Sequence, residues 1–275
     1  MRLLIASDGS PHSDAALQLG AQLLWRRRSA QPPTIVTVVR RESDRPQAKP
    51  TLAKALGLLG MKMSEVRTKV RIGRPAEEIV GETMEGQYNL VIIGKSSEQS
   101  LITRWLGLTA VQVAEHAPCS VAIATGEIKP IHQILVCDSG VHSPSLLNRF
   151  MQQLGDLIET GVIITVLHVM SQMAAGPGVS GEQLRANTEE LIRAHAPEGE
   201  LLTQDIRVLQ KANIQAIPKV RHGFVVDEIL DEARRGDYDL VVIGAHEKAR
   251  WTGFLLDDLA KQIITQIDRP VLLVR

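Results

Sequence analysis

Aromatic residues and net charge are both scarce in this sequence. Its 275 residues include three Trp, two Tyr and three Phe, and 31 Lys and Arg balance 31 Asp and Glu. Proteins usually bind nucleic acid through a basic surface and through stacking on aromatic rings. The composition therefore argues against a nucleic acid partner, and a neutral chain has no general attraction to an anionic membrane.

Cysteines and long apolar runs are also few. The two cysteines, Cys119 and Cys137, have no CxxC spacing and no accompanying histidine cluster, so they match neither a zinc motif nor a disulfide framework. Both lie in apolar strand contexts, which predicts buried, unreactive thiols. The apolar run in "MRLLIASDGS" at the N-terminus is too short for a signal peptide or a membrane span, so we expect a cytoplasmic protein.

The sequence repeats itself. Residues 70–94 and 220–244 are identical at 12 of 25 positions at an offset of 150, and residues 8–17 match 138–147 at an offset of 130. The difference between the offsets indicates about 20 extra residues in the second copy. We place them around the glycine-rich stretch 171–183 and the helix that follows it.

A polar stretch that ends at Pro130, residues 125–130, fits a linker between the copies. We therefore predict a first domain over residues 1–127 and a second over residues 131–275. In each, short strands that are apolar on both faces alternate with amphipathic helices, which is typical of a parallel sheet covered by helices. The predicted fold class is α/β, with two tandem doubly wound domains of five parallel strands each.

In doubly wound sheets, ligands bind beyond the carboxyl ends of the strands, where the strand order reverses. In the first copy this rule indicates residues 7–10, after the first strand, and Gly94, at the end of the fourth. Gly107 is predicted to open the next helix. A glycine at a strand end followed by a glycine that opens a helix is typical of a phosphate cradle, because the backbone can approach closely and the helix N-terminus offers free N–H groups.

Three stretches resemble the universal stress protein family in its tandem two-domain form. They are "LLIASDGSPHSDAAL" at 3–17, "YNLVIIGKSSEQS" at 88–100 and "LGLTAVQVAEHAPCSVAIA" at 106–124. The resemblance covers essentially the whole chain. It implies two domains of the adenine nucleotide alpha hydrolase-like type with strand order 3-2-1-4-5, and a regulatory role in the stress response.

The ATP-binding pattern of this family, G-x2-G-x9-G-S/T, falls on Gly94, Ser97, Gly107 and Leu108 of the first copy. The two outer glycines match, whereas Ser97 replaces a glycine and Leu108 replaces a hydroxyl residue. A second hydroxyl of the family falls on Ala110, and Thr109 is the nearest substitute. The first copy therefore keeps the glycines of the cradle and lacks side-chain donors to phosphate.

The resemblance also implies an adenosine pocket beside this cradle. The nucleotide-binding residues it predicts are Ala6, Ser7, Asp8, Val38, Ile93, Gly94, Ser97, Gly107, Leu108 and Thr109. The ligand would be ATP, or AMP or ADP, with magnesium. The residues alone also allow a plainer interpretation, in which Asp8 is a turn or N-cap residue and the glycines only form turns. Val38 and Ile93 are core residues in either case.

The second copy departs further from the pattern. Gly244 is kept, but Glu247, Asp257 and Asp258 fall on the other positions, and the turn after the first strand has Asp138. A carboxylate about 4 Å from a phosphate costs on the order of 4 kcal/mol at an effective dielectric near 20. The same pair would cap its helix and complement the helix dipole. We therefore expect a degenerate cleft in the second copy, and the sequence leaves open whether it takes another ligand.

No catalytic set is recognisable in the sequence. The Ser, Asp and His of "SDGSPHS" are crowded into one turn and cannot form a nucleophile, base and orienting group in line. His12 and His142 recur at matching positions and are predicted to cap or pack at their helices, and His246 to be a solvated loop residue. We predict no catalytic residue, no metal site and no enzyme activity.

Two functions from different classes follow. The first is a stress-response regulator that binds an adenine nucleotide in its first domain. The alternative is an interaction or scaffold protein in which both clefts are degenerate. The resemblance further implies that the last strands, "CSVAIAT" at 119–125 and "RPVLLVR" at 269–275, pair within one chain. It also leads us to expect that two chains could form a homodimer.

Overall fold

The computed structural model describes residues 1–26, 31–95, 104–138, 144–155, 158, 161–170, 187–194, 196–245 and 258–275, with the backbone alone for 25–26 and 104–108. The strands are β1 (Leu3–Ala6), β2 (Thr34–Val39), β3 (Arg67–Ile72), β4 (Leu90–Gly94), β5 (Ser120–Ala124), β6 (Gln133–Cys137), β7 (Ile163–Met170), β8 (Gln215–His222), β9 (Leu240–Gly244) and β10 (Val271–Val274). The α-helices are α1 (Pro11–Arg26), α2 (Ala48–Leu59), α3 (Pro75–Gly86), α4 (Arg104–His116), α5 (Leu146–Leu154), α6 (Thr188–Arg193), α7 (Pro197–Lys211), α8 (Val225–Arg235) and α9 (Asp258–Gln266). Within the described residues, no helix has the length and apolar character needed to cross a membrane.

Contacts divide the chain into two compact units. The first contains residues 1–130 and 245–275, and the second contains residues 131–244. The last helix and strand of the second copy thus belong, by their contacts, to the first unit. The domain boundaries at 1–127 and 131–275 follow the sequence repeat and stay a prediction.

The first unit contains the predicted parallel sheet. Its strand order is β3-β2-β1-β4-β5, which confirms the order 3-2-1-4-5 for the first copy. Ile5 at the centre of the sheet lies opposite Ile35 on β2 and Ile92 on β4, and all three side chains are fully buried. β10 then pairs with β5 in the antiparallel direction, with Leu272 opposite Ala122. Apolar residues on both faces explain why helices must cover this sheet.

The second unit repeats the same winding. Its four parallel strands have the order β9-β6-β7-β8, which corresponds to β4-β1-β2-β3 of the first unit. Leu135 on β6 lies opposite Thr165 on β7 and Val241 on β9. The predicted α/β fold class is therefore confirmed.

The second copy has more helix between its second and third strands than the first copy has. Between β7 and β8 lie α6 and α7, whereas α2 is the α-helix between β2 and β3. This difference agrees with the extra residues predicted there, although 171–186 lie outside the described residues. α6 begins at a capping box in which Asn187 and Glu190 each accept a hydrogen bond from the other's backbone N–H.

An ion-pair network that is present in both copies holds a helix against an edge strand. In the first copy the carboxylate of Glu82, which is 1% exposed, accepts hydrogen bonds from Lys69 at 2.6 Å, Arg71 at 3.0 Å and Tyr88 at 2.9 Å. At the offset of 150, Glu232 is held in the same way by Lys219, Arg221 and Tyr238. Three donors satisfy the hydrogen-bonding capacity of each buried carboxylate. Because the donors on β3 and β8 pair with carboxylates on α3 and α8, the network holds each helix against its strand.

Two glycines near the ends of these helices have a different role from the predicted one. The sequence predicts left-handed glycine C-caps at Gly86 and Gly236. Instead, Gln87 adopts the left-handed conformation after α3, with φ of 49°, and Gly236 is extended, with φ of −92°. A Cβ at Gly86 would lie 2.0 Å from the Tyr88 ring, and one at Gly236 would lie 2.2 Å from the Tyr238 ring. The glycines therefore make room for the tyrosines of the network.

Candidate functional site

A pocket opens in the first unit beyond the carboxyl ends of β1, β2 and β4. It is lined by Ala6, Ser7, Asp8, Ser10, His12, Ser13, Val36, Val38, Pro75, Ile79, Ile93, Gly94 and Thr109. Its volume is about 100 Å³, compared with roughly 300 Å³ or more for a typical small-molecule site. β2, β4 and α3 supply apolar side chains, and the turn between β1 and α1 supplies the polar groups. The pocket therefore suits one apolar ring of a larger ligand.

Seven of the ten predicted binding residues line this pocket. They are Ala6, Ser7, Asp8, Val38, Ile93, Gly94 and Thr109. Ser97 lies outside the described residues, and Gly107 and Leu108 lie on α4, where the backbone alone is described. The fold thus brings together predicted residues from three strand ends and one helix, and their contact with a ligand stays a prediction.

Ser10, which the strand-end rule indicated as part of residues 7–10, also lines the pocket, and five further residues were not predicted from the sequence. They are His12, Ser13, Val36, Pro75 and Ile79. Val36 could have been found, because alternate residues of a strand share a face and Val38 was already a candidate. Pro75 and Ile79 follow the end of β3, so the strand-end rule applied to the third strand would have indicated them. His12 lies in the first turn of α1 and lines the pocket, and its predicted capping or packing role stays a prediction.

Asp8 organises the turn between β1 and α1. Its Oδ1 accepts a hydrogen bond from the backbone N–H of Ser10 at 3.0 Å, and the intervening Gly9 has φ of 82°, in the left-handed region. Desolvation alone would raise the pKa of the Asp8 carboxyl, but hydrogen bonds from Ser10 outweigh it and hold the pKa below its ordinary value. Asp8 is therefore an ionised turn residue that also lines the pocket, and its contact with a nucleotide stays a prediction.

Lys54 on α2 fixes the same turn from outside the pocket. Its Nζ donates to the carbonyl oxygen of Gly9 at 2.9 Å and to Oδ2 of Asp14 at 2.6 Å. Because 45% of the Lys54 side chain is exposed, the ion pair adds little stability. Its main effect is to place a positive charge beside the turn that contributes Asp8 and Ser10 to the pocket.

Two buried serines give the pocket its acceptor groups. The hydroxyl of Ser7 donates to Oγ of Ser13 at 3.3 Å, and the hydroxyl of Ser13 donates to the carbonyl oxygen of Ser10 at 2.9 Å. Both hydroxyl protons are thus used within the protein. Since each hydroxyl oxygen has two lone pairs, the oxygens remain available to N–H donors of a ligand.

Gly94 is required by close packing as well as by its place at the pocket. A Cβ at Gly94 would lie 1.9 Å from the carbonyl oxygen of His12, which is a backbone atom at the start of α1. At Gly244, the matching position of the second copy, the nearest atom would be Nη2 of Arg149 at 3.3 Å. The glycine at the end of β4 is therefore explained by helix packing, whether or not phosphate approaches it.

The predicted cradle geometry needs one correction. Gly107 was expected to open a helix, but α4 begins at Arg104, three residues earlier. The N–H groups without a partner inside a helix are those of its first four residues. Gly107 thus lies at the end of this first turn, and the free N–H groups belong mainly to the residues that precede it. Thr109, in the next turn, is the part of α4 that reaches the pocket.

In the second unit, the protein's own side chains occupy the matching positions. Asp138 is buried, unlike the exposed Asp8, and its Oδ2 accepts a hydrogen bond from the N–H of Leu147 in the first turn of α5 at 3.1 Å. The guanidinium of Arg149 lies against Gly244. Asp257 lies outside the described residues, and Asp258 is exposed in the first turn of α9, where it complements the helix dipole.

Two predictions concern the cysteines and the possible metal ligands outside the pocket. Both cysteines are free; Cys119 is buried and Cys137 is partly exposed. Burial raises the pKa of the Cys119 thiol to about 11 and also raises that of Cys137, so both stay protonated at neutral pH. Among the residues that the structure describes, no group of three or more His, Cys, Asp or Glu is arranged to hold a metal ion.

Comparison with known proteins gives one family. The sequence profile described as "Universal stress protein family" matches residues 1–125 and again residues 130–275. A comparison with curated protein sequences gives no significant match.

Solved structures of similar fold cover the whole chain. The crystal structure of a universal stress protein from Archaeoglobus fulgidus DSM 4304 has a TM-score of 0.66 at 15% identity, over 100% of this chain and 96% of that one. A putative universal stress protein from Pseudomonas aeruginosa UCBPP-PA14 has a TM-score of 0.65 at 15% identity, over 99% and 92%. A universal stress protein family protein from Arabidopsis thaliana, solved with AMP bound, covers 52% of this chain and 90% of its own, at 16% identity and a TM-score of 0.34.

Proposed function

Because this chain belongs to the universal stress protein family, we propose that it is a stress-response regulator whose first cleft binds an adenine nucleotide. The pocket beyond β1, β2 and β4 is the observation that carries the proposal. It combines apolar side chains for a purine ring with the hydroxyl oxygens of Ser7 and Ser13. Those oxygens would accept hydrogen bonds from N–H groups such as the amino group of adenine.

Some members of the family are known with nucleotides. One structure is described as a universal stress protein in complex with cAMP, and the Arabidopsis protein was solved with AMP bound. These ligands belong to those proteins. For this chain we propose ATP, ADP or AMP, with the base in the described pocket and the phosphates toward the first turn of α4, where a helix N-terminus favours anions.

Magnesium would come with the phosphates. Asp8 is the carboxylate among the residues that line the pocket, and one of its oxygens is already used by the N–H of Ser10. One partly used carboxylate is too little for a protein-built magnesium site, whereas magnesium commonly binds through one or two carboxylates plus substrate phosphates. We therefore propose that magnesium affects binding of ATP more than binding of AMP.

For the second cleft we propose that no nucleotide binds. Asp138 is buried, where its Oδ2 accepts the N–H of Leu147, and the Arg149 guanidinium lies against Gly244. These two side chains match the first-copy positions at which we propose that the ligand binds. The second copy would then serve the first as a scaffold, and the antiparallel ladder of β5 with β10 supports the proposal that the copies pair through their last strands. A homodimer stays a prediction.

We propose binding without catalysis. Ser7, Asp8, Ser10 and Ser13 are held in hydrogen bonds of the β1–α1 turn, and those described hydrogen bonds join no base to a nucleophile. Incubation with radiolabelled ATP should release no phosphate above the level of a Gly107→Asp variant. Steady turnover that this variant lacks would contradict the proposal.

The alternative function is an interaction or scaffold protein without nucleotide. One observation favours it: Ala110, at a position where the family has a hydroxyl, is a fully buried residue without a hydrogen-bonding side chain. Mass spectrometry of small molecules released from the heat-denatured protein separates the two functions. A released adenine nucleotide, and calorimetric binding of ATP, ADP or AMP with one site per chain, would support the first. No released nucleotide, together with no melting shift in millimolar ATP and magnesium, would support the alternative.

A further inference from the structure

The second unit has a carboxyl group at a core position. The buried residues of α2 include Leu52, Ala55 and Leu59, and those of α7 at the offset of 150 are Leu202, Asp205 and Leu209. Asp205 is 0% exposed, as is Ala55. The two helices thus present the same core face, with a methyl group in the first copy and a carboxyl group in the second. Asp and Glu are almost never fully buried unless they are paired.

The contacts of Asp205 leave it poorly suited to carry a charge. Its Oδ1 accepts a hydrogen bond from the hydroxyl of Ser145 at 3.1 Å, and Oδ2 accepts none from any residue that the structure describes. Ser145 is also the N-cap of α5, because its Oγ accepts the N–H of Asn148 at 3.2 Å. A buried carboxylate with a single neutral donor is strongly destabilised relative to its protonated form.

A second carboxyl group makes ionisation of Asp205 still less favourable. Asp138, at the end of β6, is buried, and its negative charge acts on Asp205. Asp138 is better satisfied, since its Oδ2 accepts the N–H of Leu147 near the positive end of α5. When two carboxyl groups share a buried site, one ionises readily and the other retains its proton. Here the geometry assigns the retained proton to Asp205.

Charged groups on the elements packed against α7 have contacts of their own. Arg149 on α5 directs its guanidinium against Gly244, and Nδ1 of His168 on β7 lies 3.1 Å from the carbonyl oxygen of Asp138. The other titratable groups on these elements are Lys219, Arg221 and His222 on β8, and Glu189, Glu190 and Arg193 on α6. Lys219 and Arg221 are ion-paired with α8, and Glu189 pairs with Arg193. On α7 itself, the residues one turn from Asp205 are apolar: Leu201, Leu202, Val208 and Leu209.

We propose that the buried Asp138 and Asp205 carboxyl groups of the second unit form a proton-binding site, in which Asp205 takes up one proton from solvent beside the Asp138 carboxylate and thereby stabilises the packing of α7 on α5. Burial and the Asp138 charge raise the pKa of the Asp205 carboxyl to about 7, from an ordinary value of 3.8. Because the pKa is higher in the folded than in the unfolded state, the stabilisation is complete below about pH 4 and is lost as the pH rises to about 7.

Carbon NMR of the full chain labelled with ¹³C at the aspartate carboxyls tests the assignment directly. We expect one carboxyl resonance to titrate near pH 7 in the wild-type chain and to be absent from Asp205→Asn. Asp8→Asn is the control, because it removes the exposed carboxyl that matches Asp138 in the first copy and should leave this titration in place. Titration of every aspartate below pH 5, or a neutral titration that persists in Asp205→Asn, would overturn the proposal.

Two further variants test the pair and keep the proposal testable if Asp205→Asn fails to fold. In Asp138→Asn the Asp205 midpoint should fall while staying above 4, because burial remains. In Ser145→Ala it should rise, because the carboxylate loses its donor. If the titration midpoint of Asp205 were unchanged in both variants, neither Asp138 nor Ser145 would interact with the Asp205 carboxyl, and the proposal would be overturned.

Hydrogen exchange tests the effect on stability. After correction for the chemical exchange rate, the protection of amides in α5 and α7 should fall about tenfold per pH unit between pH 5 and pH 7 and level off above it. The corresponding slope should vanish in Asp205→Asn. Equal slopes in both chains would overturn the coupling of the proton to helix packing.

Discussion

The ammonium group of Lys95 lies 2.5 Å from the carbonyl oxygen of Ile264, at the C-terminal end of α9. It also donates to the carbonyl oxygen of Thr265 at 2.7 Å, and Lys95 is 8% exposed. Lys95 directly follows Gly94, the first glycine of the predicted phosphate cradle. Its two hydrogen bonds therefore attach the end of β4 to α9. Position 245, at the offset of 150, is alanine, which restricts this contact to the first copy.

Replacing Lys95 by alanine should destabilise the first unit. The substitution leaves two carbonyl groups at the end of α9 without their donor, at a cost of about 1–3 kcal/mol for a buried unsatisfied group. Urea denaturation followed by circular dichroism measures the change. Lys49→Ala is the control, because Lys49 is an exposed lysine of α2 and its loss should have no comparable effect. Equal stability of the two variants would show that the contact is unimportant.

The same lysine should give the stability a pH dependence in the alkaline range. Burial lowers the pKa of Lys95 to about 8, from an ordinary value of 10.5. Since the folded state binds this proton less tightly than the unfolded state, the Lys95 contribution should rise between about pH 8 and pH 10.5. The difference in unfolding free energy between Lys95→Met and wild type, measured across this range, isolates it. A difference that does not change with pH would contradict the lowered pKa.

Alanine at Gly94 and alanine at Gly244 should have very different effects. At Gly94 the new Cβ would lie 1.9 Å from the backbone oxygen of His12, so α1 or β4 must move. Overpacking of this kind costs about 1–3 kcal/mol or more. At Gly244 the nearest atom is the flexible Arg149 guanidinium at 3.3 Å, which can shift. Thermal unfolding of both variants checks this contrast, and similar melting temperatures would refute it.

Removal of Glu82 should be among the most damaging substitutions in the first unit. Glu82→Ala leaves Lys69 and Arg71 without their buried partner, and broken buried ion pairs cost about 3 kcal/mol or more. Glu85→Ala is the matched control, because Glu85 pairs with the same Arg71 from an exposed position. Chemical denaturation should show a large loss for the first variant and a small one for the second. Comparable losses would mean that burial does not decide the strength of these pairs.

A carboxylate at position 107 should abolish nucleotide binding. In Gly107→Asp the new charge would lie at the end of the first turn of α4, where the phosphates are proposed to bind. At about 4 Å it would cost on the order of 4 kcal/mol, or about a thousandfold in affinity. Gly57→Asp is the control, since no atom lies within 4 Å of a Cβ at Gly57 and the same charge is added away from the pocket. Calorimetry with ATP distinguishes them, and unchanged affinity in Gly107→Asp would place the phosphates elsewhere.

The sequence pattern determined the fold class, whereas the strand order of the first copy and most of the predicted pocket residues came from the family resemblance. Apolar runs such as those of β1 and β4 are buried on both faces, and this pattern requires a parallel sheet covered by helices. The strand-end rule then located Ser7, Asp8 and Gly94 at one place. These inferences succeed because they depend on periodicity and on local chain direction.

Only the tertiary structure decided which groups are brought together over long distances in the sequence. The contact of Lys95 with Ile264 joins residues 169 positions apart, and Asp205 meets Ser145 across 60 positions. No local pattern marks such pairs, because helix packing creates them. The burial of Asp138 and the exposure of Asp8, which follow matching strands, were likewise decided by the tertiary structure.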